Sequence, residues 1–227
     1  MCSRSYSMMD RVVIVFLRAP EKGRVKTRLS KFLNDTFVLE LYKGLVKDTL
    51  DVIETAGDNA LYFWPPGKKE VLQKWLGNKY AFLVQKGDNL GQKMSNAFVD
   101  MFKKGYTHAL LIGTDIPELS ANIITLAYQE LQTADAVIGP SDDGGYYLIG
   151  FQKSGFSKII FEGIDWSTTL VLDQTLQAMD RVSIQYRLLP GLNDIDTPKD
   201  FDALSCRVKD GGKIGKRTLK MLNSYGN

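Results

Sequence analysis

The sequence predicts a three-layer α/β/α domain built on a mostly parallel, mixed sheet. Short strand-like apolar runs alternate with helix-spaced apolar stripes along the chain, and no repeat, linker or low-complexity segment interrupts them. At 227 residues the chain is long enough to bury a substantial core as one large domain. The expected domain covers residues 11–208, after a disordered terminus at 1–10 and before a basic helical tail at 209–227.

The first strand is "VVIVFL", Val12 to Leu17. Val38, Leu41, Tyr42, Leu45, Val46, Leu50 and Ile53 then recur at helical spacing, with Asn34 or Asp35 placed to cap that helix. "ALYFW" reads as a second strand, a short helix covers Val71 to Leu76, and "YAFLV" is a third strand. Leu90, Met94, Ala97, Phe98, Met101 and Phe102 form a helical stripe whose plain meaning is core. "ALLIG" is a buried strand, Ser120 is placed to cap the next helix, and "AVIG" and "YYLIGF" extend the sheet. A helix from Ser167 to about Met179, a strand "IQYRLL", and a helix opened by "TPKD" complete the pattern.

Composition removes several classes of function. Hydrophobic residues at 44% and charged residues at 24% are ordinary for globular proteins, and no apolar run approaches the length needed to cross a bilayer. No signal-peptide core is present, so a cytoplasmic, reducing setting is expected. Cys2 and Cys206 give neither a disulfide framework nor metal-ligand spacing. A net charge of +3 is too balanced to indicate nucleic acid. The single histidine, His108, opens a strand and is expected to be structural, which leaves no room for a hydrolase triad.

In parallel sheets, ligands bind where the strands end, so the loops after strands carry the functional reading. Three stand out: "RAPEKGRVKTRL", "GTDIPEL" and "PSDDGGYY". The first packs Lys22, Arg24, Lys26 and Arg28 into seven residues directly after a buried strand. A solvated basic surface is the bland alternative for that loop. The late segment "NDIDTPKD" adds clustered carboxylates; helix capping accounts for Thr197, Pro198 and Asp200 but not for Asp194 or Asp196.

Cations and carboxylates on one rim suit a polyphosphate, with Lys and Arg on its oxygens and carboxylates on a hard divalent ion. Asp115 and Asp196 are the candidate ligands, and without a Cys or His cluster the ion would be Mg²⁺ or Mn²⁺. Competing phosphate motifs fail: "DGGKIGKRT" has the wrong glycine spacing and Arg217 at the Ser/Thr position, so it reads as solvated tail.

Taken in order, "FLRAPEKGRVKTRL", "GDNLGQKM", "LIGTDIPEL", "GPSDDGGYYLIGF", "IDWST" and "DIDTPKDFDAL" resemble the bacterial selenodomain-associated, glycosyltransferase-like transferases. The resemblance spans Val12 to Leu204. It implies the Rossmann-like nucleotide-diphospho-sugar transferase (GT-A) fold and metal-dependent chemistry. By position it implies Asp115 and Asp196 as metal ligands, and Arg18, Lys26 and Arg28 on the donor phosphates. Gln85 and Gly91 match the segment that meets the base, and Asp143, Gly144, Gly145 and Trp166 match the donor or acceptor loops. Relatives more often carry Lys at the place of Arg18. The basic loop is also similar to that of phospholactate guanylyltransferases.

Three functions are therefore expected in competition. One is glycosyl transfer from a nucleotide sugar to a small-molecule acceptor, with Asp143 placing the acceptor hydroxyl or acting as its base. The second is nucleotidyl transfer from a nucleoside triphosphate with release of pyrophosphate. The third is nucleotide binding without catalysis.

Overall fold

A computed structural model describes residues 10–225. The segment 1–10, expected to be disordered, and Cys2 within it fall almost entirely outside them. Helices cover both faces of a seven-stranded sheet. In chain order the elements are β1 (Arg11–Arg18), α1 (Asp35–Ile53), β2 (Asp58–Trp64), α2 (Lys69–Leu76), β3 (Ala81–Val84), α3 (Leu90–Lys103) and β4 (His108–Ile112). Then follow α4 (Ala121–Glu130), β5 (Ala136–Pro140), β6 (Tyr146–Gln152), α5 (Val171–Arg181), β7 (Tyr186–Leu188), α6 (Pro198–Lys209) and α7 (Lys216–Tyr225). No helix among the described residues is long and apolar enough to cross a membrane.

The strand order is β3-β2-β1-β4-β6-β5-β7. Every pairing is parallel except those of β6, which runs antiparallel to both β4 and β5. The chain winds from β1 outward through β2 to β3, then returns to place β4 on the other side of β1. A crevice therefore opens between the carboxyl ends of β1 and β4, where winding reverses and ligands of such sheets bind.

Alternation along β1 divides the core. Val13, Val15 and Leu17 pack with α1, α2 and α4 on one face, while Val12 and Ile14 pack with α3 and α5 on the other. On that second face Phe98 makes an edge-to-face contact with Phe151, ring centres 5.0 Å apart. The outer side of α1 carries a third cluster, in which Val38, Leu41 and Leu45 meet Phe201, Leu204 and Leu222 of α6 and α7. Leu29 and Ile195, from the loops after β1 and β7, are fully buried in it. Those two loops rest on α1, α6 and α7.

Several local expectations need correction. Ser120 stands at the N-terminus of α4 but its side chain accepts no capping hydrogen bond. The helix expected from Ser167 starts at Val171, because Ser167 has a left-handed backbone (φ 69°) and the chain turns before it coils. The "solvated" tail is docked. Asp48 of α1, 7% exposed, accepts hydrogen bonds from the backbone N–H of Arg217 (3.3 Å) and of Thr218 (2.8 Å), capping α7 from another helix. Arg217 Nη1 also reaches Asp48 (2.9 Å) and Asp51 (2.6 Å).

Candidate active site

The loops after β1, β4, β5 and β7 open on one edge of the sheet, as the strand-end rule requires. Tyr42 of α1 pins the exit of β1: its hydroxyl donates to the Arg18 carbonyl (2.9 Å) and accepts from the Arg18 N–H (2.8 Å). Burial and the nearby Asp115 charge push the Tyr42 phenol upward, so it stays a donor. The loop after β7 is fixed by the helix it enters. Thr197 and Asp200 form a reciprocal capping box, and the Asp200 carboxylate also accepts from the Asp196 N–H at 3.0 Å. Asp200 is thereby committed to the helix start, and the Asp194 and Asp196 side chains are left for the rim.

At the crevice between β1 and β4 the structure brings together the residues singled out from the sequence. Lys26 Nζ lies 2.8 Å from Asp115 Oδ2 and 2.9 Å from Asp196 Oδ1, with its side chain 3% exposed. Burial alone would lower the Lys26 pKa, but the two carboxylates outweigh it and hold the ammonium above its ordinary value. Lys26 also has a left-handed backbone (φ 48°), a conformation costly for a side chain of this kind. Three loops are joined by one cation. Arg28 approaches Asp196 at 3.6 Å while remaining largely exposed.

Two adjoining cavities meet at this triad. The first, about 750 Å³, is lined by all three cations of the phosphate expectation, Arg18, Lys26 and Arg28, together with Arg24 and Lys93. Lys22 is exposed and lines neither cavity. Gln85 lines the first cavity, its amide donating to the Tyr62 carbonyl at 3.0 Å. Beside it Lys93 Nζ sits 4.0 Å over the centre of the Trp64 ring. Trp64 and Lys93 were not singled out from the sequence; the end of a strand and the first turn of a helix were the signals available.

The second cavity, about 590 Å³, holds Asp143, Gly145, Trp166 and Asp194. Asp143 Oδ1 accepts from the Ser141 hydroxyl (2.5 Å) and the Gly145 N–H (3.0 Å), which fixes the turn and leaves Oδ2 available. Burial, with Asp196 next, pushes Asp194 up to about 6, Lys26 opposing. Gly91 and Gly144 do packing work. A side chain at Gly91 would meet the Trp166 ring at 2.5 Å, and one at Gly144 would strike the backbone of Thr169. Neither glycine lines a cavity.

His108 lies away from these cavities at the start of β4, buried, with Nδ1 2.9 Å from the Thr107 hydroxyl. Its place fits the structural reading made from the sequence.

The sheet order, the crevice at the winding reversal and the cation-lined cavity together define the fold shared by nucleotide-diphospho-sugar transferases and cytidylyltransferases. A crystal structure of a provisionally named nucleotide-diphospho-sugar transferase from Desulfovibrio desulfuricans G20 superposes with a TM-score of 0.89 at 32% identity, covering 96% of this chain and 98% of that one. The 4-diphosphocytidyl-2C-methyl-D-erythritol synthase of Anaerococcus prevotii shares the fold at a TM-score of 0.59 and 11% identity, covering 90% and 100%. The 2-phospho-L-lactate guanylyltransferase of Methanocaldococcus infernus is 25% identical over 206 residues, covering 88% of this chain and 87% of the other. This chain belongs to the DUF2064 family, described as proteins conserved in bacteria and uncharacterized, whose profile matches residues 50–168.

Proposed function

We propose that the protein is a transferase using a nucleotide donor, and that it moves a glycosyl group from a nucleotide-diphosphate sugar to a small-molecule hydroxyl. The observation that carries the reading is the buried Lys26 held between Asp115 and Asp196, facing a cavity ringed by further cations. Lys26, Arg28 and Arg18 contact the diphosphate, and charge-assisted bonds to its oxygens strengthen as negative charge gathers on the leaving group. Gln85 and Trp64 flank the base. The bond from the anomeric carbon to the diphosphate oxygen breaks with its electron pair on that oxygen. The acceptor oxygen bonds to the same carbon and passes its proton to Asp143.

The donor set fits a metal ion. Asp115 and Asp196 converge on one rim close enough to share the Lys26 ammonium, and they are the carboxylates that would hold a hard divalent ion there. No cluster of three or more His, Cys, Asp or Glu ligands exists among the described residues, so phosphate oxygens and water would complete the shell. That is the usual way Mg²⁺ is held, and Mn²⁺ takes the same oxygen ligands. When bound, such an ion neutralises charge on the departing phosphate.

Nucleotidyl transfer is the second reading, supported by the guanylyltransferase relative, whose likeness extends over most of both chains. It uses the same cations with a nucleoside triphosphate and releases pyrophosphate. We place the chain among the selenodomain-associated, glycosyltransferase-like members on its motifs, and in the cytoplasm.

The deciding experiment incubates the protein with Mg²⁺ or Mn²⁺, a panel of nucleotide sugars and nucleoside triphosphates, and a mixed acceptor pool, then assays the released product. Nucleoside diphosphate supports glycosyl transfer, pyrophosphate replaces it with the second reading, and nucleotide binding without release of either leaves a binding module.

A further inference from the structure

The two cavities share the walls formed by Phe16, Arg28, Leu90 and Asp115, yet they differ in charge. In the first, cations prevail, and its carboxylates Asp115 and Asp196 are both paired with Lys26. The second adds Asp143 and Asp194, and the shared Arg28 is the sole cation lining it among the described residues. Neither Asp143 nor Asp194 forms an ion pair among the described residues; Asp143 is held instead by the Ser141 hydroxyl and the Gly145 N–H. This cavity thus sets two carboxylates without a direct ion pair among the described residues beside a substantial apolar wall.

The apolar wall has a defined shape. Trp166 is half-buried, its ring backed by Gly91 of α3, where even one added carbon would meet it at 2.5 Å. Phe16, Leu90 and Met94 continue the surface. A flat aromatic face beside carboxylates is suited to a ring compound that has an apolar face and carries hydroxyl or amine donors on its edge.

Building on the reading that the first cavity holds the nucleotide donor, we propose that the second cavity selects an acceptor that carries hydroxyls on a ring and no anionic group, favours one bearing a protonated amine, and rejects phosphate monoesters. Electrostatic complementarity sets partner choice more than raw affinity, and like charge across a partly enclosed site is a strong excluder. This separates the chain from relatives named for phosphorylated substrates, because a second phosphate would face Asp143 and Asp194 without a cation of its own.

The test is a ligand-observed NMR titration at pH 7 with glucosamine, glucose and glucose 6-phosphate. The protein is first saturated with pyrophosphate, so that the cation-lined cavity is filled. Glucosamine is expected to bind roughly threefold or more tighter than glucose, and glucose 6-phosphate roughly tenfold or more weaker than glucose. Asp194→Asn and Asp143→Asn should each flatten that ranking while pyrophosphate binding stays intact, which shows that the variants are folded. Trp166→Ala should abolish binding of all three sugars and so locate the signal.

Glucose 6-phosphate binding as well as glucose, or an undetectable response to every sugar, overturns the proposal. Failure of pyrophosphate and of all four common nucleoside triphosphates to bind would instead remove the donor reading. The sugar ranking, repeated on the protein alone, would then still decide the character of the second cavity.

Discussion

Lys26 carries more of the site than any other side chain, because one ammonium neutralises carboxylates from two loops while sitting on a third. Replacing it by methionine keeps the stem and removes the charge. The two aspartates are 41% and 31% exposed, so they rehydrate in part, and the stability lost should fall below the ~3–5 kcal/mol typical of breaking a fully buried pair. Turnover should fall much further, by roughly 10²- to 10³-fold, the usual cost of deleting a donor aimed at developing charge. Urea unfolding and steady-state kinetics on Lys26→Met check both halves. His108 offers a separate test. Burial, and secondly Arg11, lower its pKa from the ordinary 6.5, so the unfolded chain takes up that proton first. Its neutral form therefore favours the fold at neutral pH, and stability should decline as pH falls below about 6.5, levelling once the folded value is passed. Urea midpoints between pH 8 and 5 should show this decline, and His108→Asn should flatten it.

At the scale of elements, α7 is the least expected contributor. Its N-terminus is capped by Asp48, and Leu222 closes the cluster in which Leu29 and Ile195 anchor two site loops. Asp48→Ala orphans backbone donors and should cost about 1–3 kcal/mol, visible as a lower melting temperature. Removing residues after Asp210 strips that cap and the burial of Leu222, worth ~1.5–3 kcal/mol by itself, and should reduce turnover as well as stability. A truncated protein with unchanged kinetics would show that the loops need no such backing. The sequence signalled this poorly, since "DGGKIGKRT" reads as a solvated tail and the burial of Asp48 against Arg217 and Thr218 is a long-range contact. Strands were easier. Apolar runs such as "ALLI" and "YYLIGF" mark burial on both faces, but they are indifferent to direction, and the antiparallel setting of β6 emerges only from pairing.

For the molecule as a whole, the legible part of the site was the part placed by a topological rule. Lys26, Asp115 and Asp196 lie 89 residues or more from one another in two of three pairings, yet each follows a strand, and the strand-end rule is enough to collect them on one rim. What stayed hidden were contacts across that rim: the ammonium between two carboxylates, the Lys93–Trp64 stack, and the division of charge between the cavities. Because elements from every part of the sheet meet there, a bound nucleotide should stabilise the whole fold and not one loop. At about 100 times its dissociation constant a ligand specific for the folded state adds ~2.7 kcal/mol. For a chain of this size that is roughly 5–11 °C in melting temperature, at ~2–4 °C per kcal/mol. A thermal-shift panel of nucleotides with Mg²⁺ should show one cooperative transition moved by that amount, a smaller shift with EDTA, and almost none in Lys26→Met. A shift that survives both EDTA and Lys26→Met would place the nucleotide somewhere other than the crevice between β1 and β4.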